Sequence, residues 1–143
     1  MKKLFNTNFN LEGMHFMLLV LRVAIAAFML VHGYPKLQNL ISGEPIQFVD
    51  FFGIGATASL ALAVFAEFFC SLLLLFGLGT RLAVLPLIVT MLVAIFMVHA
   101  ADAFDKKELA CHYLLVYVFL LVSGSGKYSV DHLISRNQIR RRR

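Results

Sequence analysis

Hydrophobic residues in this chain gather into four long stretches separated by short polar patches, a pattern that predicts four membrane-spanning helices. The stretches run from about Met14 to Tyr34, Ala56 to Gly77, Leu82 to Ala100 and Leu109 to Ser123. At roughly 1.5 Å per residue the first three reach across a ~30 Å hydrocarbon core, while the fourth would borrow from the polar patch before it or stand nearly upright. Tyr34-Pro35-Lys36 reads as the stop of the first span. The connection that follows contains Gly43-Glu44-Pro45 and then an aromatic piece from Ile46 to Phe52, too short to span. It fits a short interfacial or re-entrant helix, or an ordered loop. The second span ends in the turn signal Gly77-Leu78-Gly79-Thr80-Arg81, and the third carries Pro86 in its first turns, where proline removes few helix hydrogen bonds. The expected architecture is all-α: an integral membrane four-helix bundle over 14–134, with a polar tail over 1–13 and a basic tail over 135–143.

Composition strengthens the membrane reading. Of the 143 residues 60% are hydrophobic and 15% charged, and a soluble domain of that size could not hide so much apolar surface. The net charge of +5 does not indicate nucleic acid, because the lysines and arginines sit at segment ends and form no continuous basic face. They are topogenic instead. Lys2, Lys3, Arg81, Lys127, Arg136 and Arg140 to Arg143 fall on one side of the bilayer, Lys36, Lys106 and Lys107 on the other. That bias predicts a multi-pass protein with both termini cytoplasmic. Lys2 and Lys3 ahead of an apolar run resemble a secretory signal, but Arg22 interrupts the run and no small-residue cleavage site follows, so the first span is expected to stay in the membrane.

Two charges stand inside apolar stretches, Arg22 in the first span and Glu67 in the middle of the second. Counted from the cytoplasmic ends, Arg22 lies ~12 Å deep and Glu67 ~15 Å, so an Arg22–Glu67 pair is expected. Such a pair either fixes helix register or lines a polar pocket for a proton-coupled ligand such as a quinone headgroup. His32, His99 and His112 sit at the outer ends of three different spans, and Glu108, four residues before His112, would orient its ring. These imidazoles either contact headgroups and loop backbone or help hold a ligand. A shared metal is not signalled, since there is no His-x3-His or Glu-x-x-His spacing, and haem is less favoured than a quinone. Cys70 and Cys111 lie at different depths, which argues against a disulfide between them. No dinucleotide, phosphate-loop or serine–histidine motif points to independent catalysis.

The order and spacing of several short motifs resemble the DoxX family of small four-span membrane proteins. They are Leu21-Arg22, His32-Gly33-Tyr34-Pro35-Lys36-Leu37, Glu67, Gly77-Leu78-Gly79-Thr80-Arg81, and the closing Gly124-Ser125-Gly126-Lys127-Tyr128-Ser129-Val130-Asp131, together covering about residues 14 to 134. Glu108 matches the acidic residue at the head of the family's last span. Ser125 stands where the family often has proline. The resemblance implies a plasma (inner) membrane location and an association with quinone-linked or thiol-linked redox systems, often as an accessory subunit of an oxidoreductase complex. Residues carried over from the family pattern are Arg22, His32, Lys36, Glu67, Arg81 and Asp131. Of these, Lys36, Arg81 and Asp131 are expected to be structural, with Arg81 and Asp131 pairing at the cytoplasmic surface.

The expected function is a redox-associated accessory subunit that binds a quinone or similar lipophilic ligand with Arg22, Glu67, His32, His99, His112 and Glu108. A non-enzymatic scaffold and a small proton-coupled transporter are the alternatives. Partners beyond the lipid bilayer would be a redox enzyme and, compatibly with the sequence, a second copy of the chain; Gly53/Gly55 and Gly77/Gly79 are too closely spaced for a small-residue dimer ridge.

Overall fold

A computed structural model describes residues 10–51 and 53–141, and among them every regular element is helical. Lys2 and Lys3 of the expected N-terminal tail, Phe52, and Arg142 and Arg143 of the basic tail lie outside the described residues. Helix α1 spans Leu11–Ile41, α2 Ala56–Phe76 and α3 Thr80–Val98, and these three are long and apolar enough to cross a membrane. Helix α4 covers Phe104–Ser123, and α5 covers Val130–Arg141. The chain is a helical membrane bundle.

Helix α1 starts earlier and ends later than the hydrophobic pattern suggests. Asn10 caps its N-terminus by accepting a hydrogen bond from the Gly13 N–H at 3.1 Å. At the other end Pro35 lies inside the helix, which continues to Ile41. The expected stop at Tyr34-Pro35-Lys36 is therefore corrected. Proline deletes one hydrogen bond from the ladder, and the turn that contains it is held by packing and by a side-chain pair described below. Ser42 ends the helix, its hydroxyl donating to the Asn39 carbonyl at 2.9 Å.

No helix forms over residues 44–51, so of the two readings for the aromatic connection the ordered loop is correct. Asp50 explains why. Its carboxylate accepts from the Ile54 and Gly55 N–H groups at 3.0 and 2.9 Å and from the Ser59 hydroxyl at 3.2 Å, which ties the loop to the start of α2. Helix α2 ends in a Schellman turn: Gly77 adopts φ 69°, and Leu78 N–H bonds back to the Leu73 carbonyl at 2.9 Å. Helix α4 does borrow Phe104 to Glu108 from the polar patch, which gives it 20 residues. Helix α5 was missed in the sequence, although Ser129, which accepts from the His132 N–H at 3.2 Å, is an ordinary N-cap signal.

Packing is inside-out relative to a soluble protein. A core of small and aliphatic side chains, among them Ala26, Leu74, Val84, Leu87 and Leu120, surrounds Tyr117 and is closed to solvent. Large apolar residues point outward, with Leu82 74% and Val122 75% exposed, as lipid-facing positions should be. Helix α1 packs on α2, α3 packs on α4, and the middle of α2 touches both α1 and α3.

Candidate functional site

Among the described residues two charged side chains, Arg22 and Glu67, are buried, at different levels of the bundle and with different partners. Arg22 is 1% exposed. Its guanidinium donates to the Ser125 carbonyl at 2.7 Å and the Tyr128 carbonyl at 2.8 Å, so it clamps the Gly124–Asp131 segment onto α1. The predicted Arg22–Glu67 pair does not form. Gly33, which touches Glu67, lies eleven residues beyond Arg22 on α1, about 16 Å along the axis. Arg22 is instead level with Gly77, where any Cβ would collide with its Nη1. The depth estimate failed because α1 begins outside the apolar stretch and the closing segment folds over its first turns, with Lys127 donating to Glu12 at 2.6 Å.

Asp131 does not pair with Arg81 either. Its two carboxylate oxygens accept the Gly79 and Thr80 N–H groups at 2.6 and 3.0 Å, capping α3 from more than fifty residues away. Burial pushes this carboxyl up, and the hydrogen bonds from Thr80 and Gly79 outweigh that, leaving it below the ordinary aspartate value. Arg81 donates to the Val122 carbonyl at 3.2 Å and so links α3 to the end of α4.

Glu67 sits deeper in the bundle, on a π-helical turn, Phe65–Cys70, in the middle of α2. The local widening of the helix turns its carboxyl toward α1, where Lys36 donates to Oε1. Lys36 lies four residues after His32, on the same face of α1, because the helix runs through Pro35. Contact is close at this level: a Cβ on Gly33 would come within 2.7 Å of the Glu67 carbonyl carbon. The Glu67 side chain is 4% exposed and Lys36 33%, so the acid is enclosed while the lysine reaches the surface. Glu67 Oε2 has no described hydrogen-bond partner.

Two cavities meet at this pair. A pocket of about 270 Å³ with largely apolar walls is lined by the polar groups of His32, Lys36, Glu67, His99, Lys106 and Tyr113 alongside Met29, Met91, Val98 and Leu109. An apolar groove of about 630 Å³ runs beside it, bordered by Phe48, Phe51, Leu62, Phe65, Pro86 and Val89. Lys36, Glu67, Ala94 and Val98 belong to both walls. A second π turn, Ala94–Val98 in α3, supplies two of those four residues. His32 meets Tyr113 edge-on with ring centroids 6.0 Å apart, and His99 Nδ1 lies 2.7 Å from Asp102 Oδ2.

Of the sequence-predicted ligand residues, Glu67, His32 and His99 converge on this pocket, whereas Arg22, His112 and Glu108 do not line it. His112 is exposed, and its Nδ1 lies 2.8 Å from the Glu108 backbone carbonyl, so the ring is held by its own helix and not by the Glu108 carboxylate. Lys36, Lys106 and Tyr113 are the lining residues that sequence reasoning missed. Recognising α1 as continuous through Pro35 would have placed Lys36 one turn above His32. Among the described residues no group of three or more His, Cys, Asp or Glu side chains is arranged to hold a metal ion. Cys70 and Cys111 are free thiols, as their different depths required.

Fold and site together define a helical membrane protein in which an enclosed acid, paired with a lysine that reaches the surface, stands between a small pocket and a larger apolar groove. The chain belongs to the DoxX family, whose profile matches residues 17–100 and so takes in α1, α2 and α3. A protein of Haemophilus influenzae named only "Uncharacterized protein" is 30% identical over 124 residues, covering 82% of this chain and 90% of its own length. No solved structure matches the chain.

Proposed function

We propose that this protein binds a lipophilic molecule with a hydrogen-bonding headgroup, a quinone being the class that fits, and serves as an accessory subunit of a membrane redox enzyme. The observation that carries this reading is the unpartnered Glu67 Oε2 beside Lys36, on the wall shared by the two cavities. A quinone headgroup needs donors for its carbonyls, which Lys36, His32 and the Tyr113 hydroxyl supply, and a proton-handling group, which Glu67 supplies. Its hydrocarbon tail needs an apolar channel open to lipid, and the 630 Å³ groove has that character. Two π turns at one level are the kind of local irregularity that accompanies binding sites in helices. The redox association and the plasma-membrane location rest on the family resemblance. A four-span topology with both termini cytoplasmic is supported by the charge bias and by α4, whose 20 residues reach about 30 Å. A homodimer is compatible with the exposed apolar faces.

A scaffold reading has one observation in its favour: both terminal nitrogens of Arg22 are taken up by backbone carbonyls of the closing segment, which makes it a tie between two parts of the chain. The two readings separate by native mass spectrometry of the detergent-purified protein, with an absorbance spectrum. Wild type is expected to retain a quinone-like mass that Glu67→Gln loses while staying folded. Apo protein in both, under conditions that preserve the fold, refutes ligand binding and leaves the scaffold.

A further inference from the structure

The two glycine-rich motifs have no part in the Glu67 site, yet they converge at one end of the bundle. Gly79-Thr80-Arg81 at the start of α3 and Ser123-Gly124-Ser125-Gly126 after α4 border a separate cleft of about 410 Å³, closed on its third side by Asp131, His132 and Ser135 of α5. We infer that this cleft is a phosphate-recognition site for an anionic phosphoryl group, carried by a phospholipid headgroup or by a soluble phosphate compound.

The charge balance points that way. Asp131 is the cleft's one carboxylate, and both of its oxygens are engaged by the Gly79 and Thr80 N–H groups. Arg22, whose guanidinium meets both Gly77 and the Ser125 carbonyl where the Asp131 N–H bonds to Gly77, stands behind that carboxylate and offsets its charge. Arg81 is then the surplus cation. One of its five N–H donors is used in a described hydrogen bond, to the Val122 carbonyl, which leaves the planar fork free for bidentate contact with phosphate oxygens. Gly124, with φ 75°, has no side chain to cover that fork: a Cβ there would lie 3.5 Å from Arg81 Nε. The imidazole of His132 adds a further donor at the rim, while the Ser135 hydroxyl donates to the His132 carbonyl at 2.9 Å.

The surroundings suit a headgroup at the membrane surface. Leu82, the next residue after Arg81, is 74% exposed as a lipid-facing side chain, so the cleft opens where apolar surface gives way to polar. Helix α5 leaves Leu133 and Ile134 exposed beside His132 and Arg136, apolar and basic side chains on one short helix, as in segments that lie on anionic bilayers.

The test measures thermal unfolding of the whole protein in a phosphate-free maltoside detergent, with and without added phosphatidylglycerol, and separately with inorganic phosphate. Wild type is expected to be stabilised by one of the two additions, its melting temperature rising with the concentration of the added compound. Arg81→Gln should abolish that response and Arg81→Lys should retain part of it. A response to phosphatidylglycerol alone assigns the phosphate to lipid; a response to inorganic phosphate assigns it to a soluble compound. If Arg81→Gln does not fold, His132→Gln provides the same reading, with a weakened response expected. No response to either addition in wild type, or an equal response in the variants, overturns the site. Because Glu67 does not line this cleft, Glu67→Gln should leave this response intact whatever it does to the other pocket.

Discussion

The two buried charges of this bundle make a controlled comparison. Arg22 and Glu67 are 1% and 3% exposed, and both stand in helices otherwise built to face lipid or a dry core. Arg22 reaches two backbone carbonyls at the junction where α1, Gly77 and the closing segment meet, and keeps its Nε unpartnered. Glu67 reaches the end of one flexible lysine, keeps an oxygen unpartnered, and borders two cavities. Burial of a charge is therefore no guide to its role. A charge tied by two bonds to backbone is part of the architecture, and one held by a single side-chain partner beside empty space is available for chemistry.

The sharpest way to break this contrast is Arg22→Met. It leaves the Ser125 and Tyr128 carbonyls without their donor and releases the closing segment, so a loss on the order of 3–5 kcal/mol is expected. Thermal unfolding in detergent measures it. A melting temperature within about 2 °C of wild type would show that Arg22 is not the clamp described here.

Gly33→Ala probes the level of Glu67 through packing alone. The added methyl would sit 2.8 Å from the Glu67 carbonyl oxygen and the Phe68 nitrogen, both backbone atoms, so α1 and α2 must separate. A cost of roughly 2–3 kcal/mol is expected, together with loss of any ligand co-purifying with the wild type. Retention of both stability and ligand would mean that the Lys36–Glu67 geometry tolerates helix displacement and that the pocket is not preformed.

A smaller effect, about 1 kcal/mol, is expected for Asp131→Asn, which weakens the cap on α3. Its sign with pH follows from the depressed carboxyl. The contribution is fully present above the ordinary aspartate value, about 3.9, and is lost as pH falls through the lower folded value. Unfolding of wild type and Asp131→Asn compared from pH 7 to pH 3 should therefore converge at the acid end. A gap that stays constant over that range would remove the carboxylate from the account.

The helices were legible in the sequence because the hydrophobic stretches are long and their interruptions few. Ala56 to Gly77 and Leu82 to Ala100 agree with the observed helices to within two residues at each end. What the sequence hid were relations between helix ends. Pro35 read as a stop because proline lacks one donor, yet the turns after it are retained by the Gly33 contact and the Lys36 pair, neither of which is a local property. That error moved Lys36 out of the membrane and left Glu67 to be matched with Arg22. Asp131 was likewise placed on the correct surface with the wrong partner, since nothing in the sequence says that a carboxylate will cap a helix begun about fifty residues earlier. Two of the pocket's polar groups, Lys106 and Tyr113, come from α4 and are found only once its packing on α3 is known.

Glu67→Gln should have the smallest effect on stability and the most informative one. The substitution keeps the shape of the side chain and removes its charge, and Lys36, a third exposed, can turn its ammonium to water when the carboxylate is gone. Replacing a buried acid that holds only one described partner should cost less than about 1 kcal/mol, or nothing, because the desolvation of the acid is relieved together with the attraction it loses. The same change should empty the pocket. The two readouts must therefore diverge: a melting temperature near that of wild type and a missing ligand mass. If Glu67→Gln instead destabilises the bundle as much as Arg22→Met does, the two buried charges are equivalent, the Lys36 pair is a register pin, and the pocket beside it is a packing defect with no occupant.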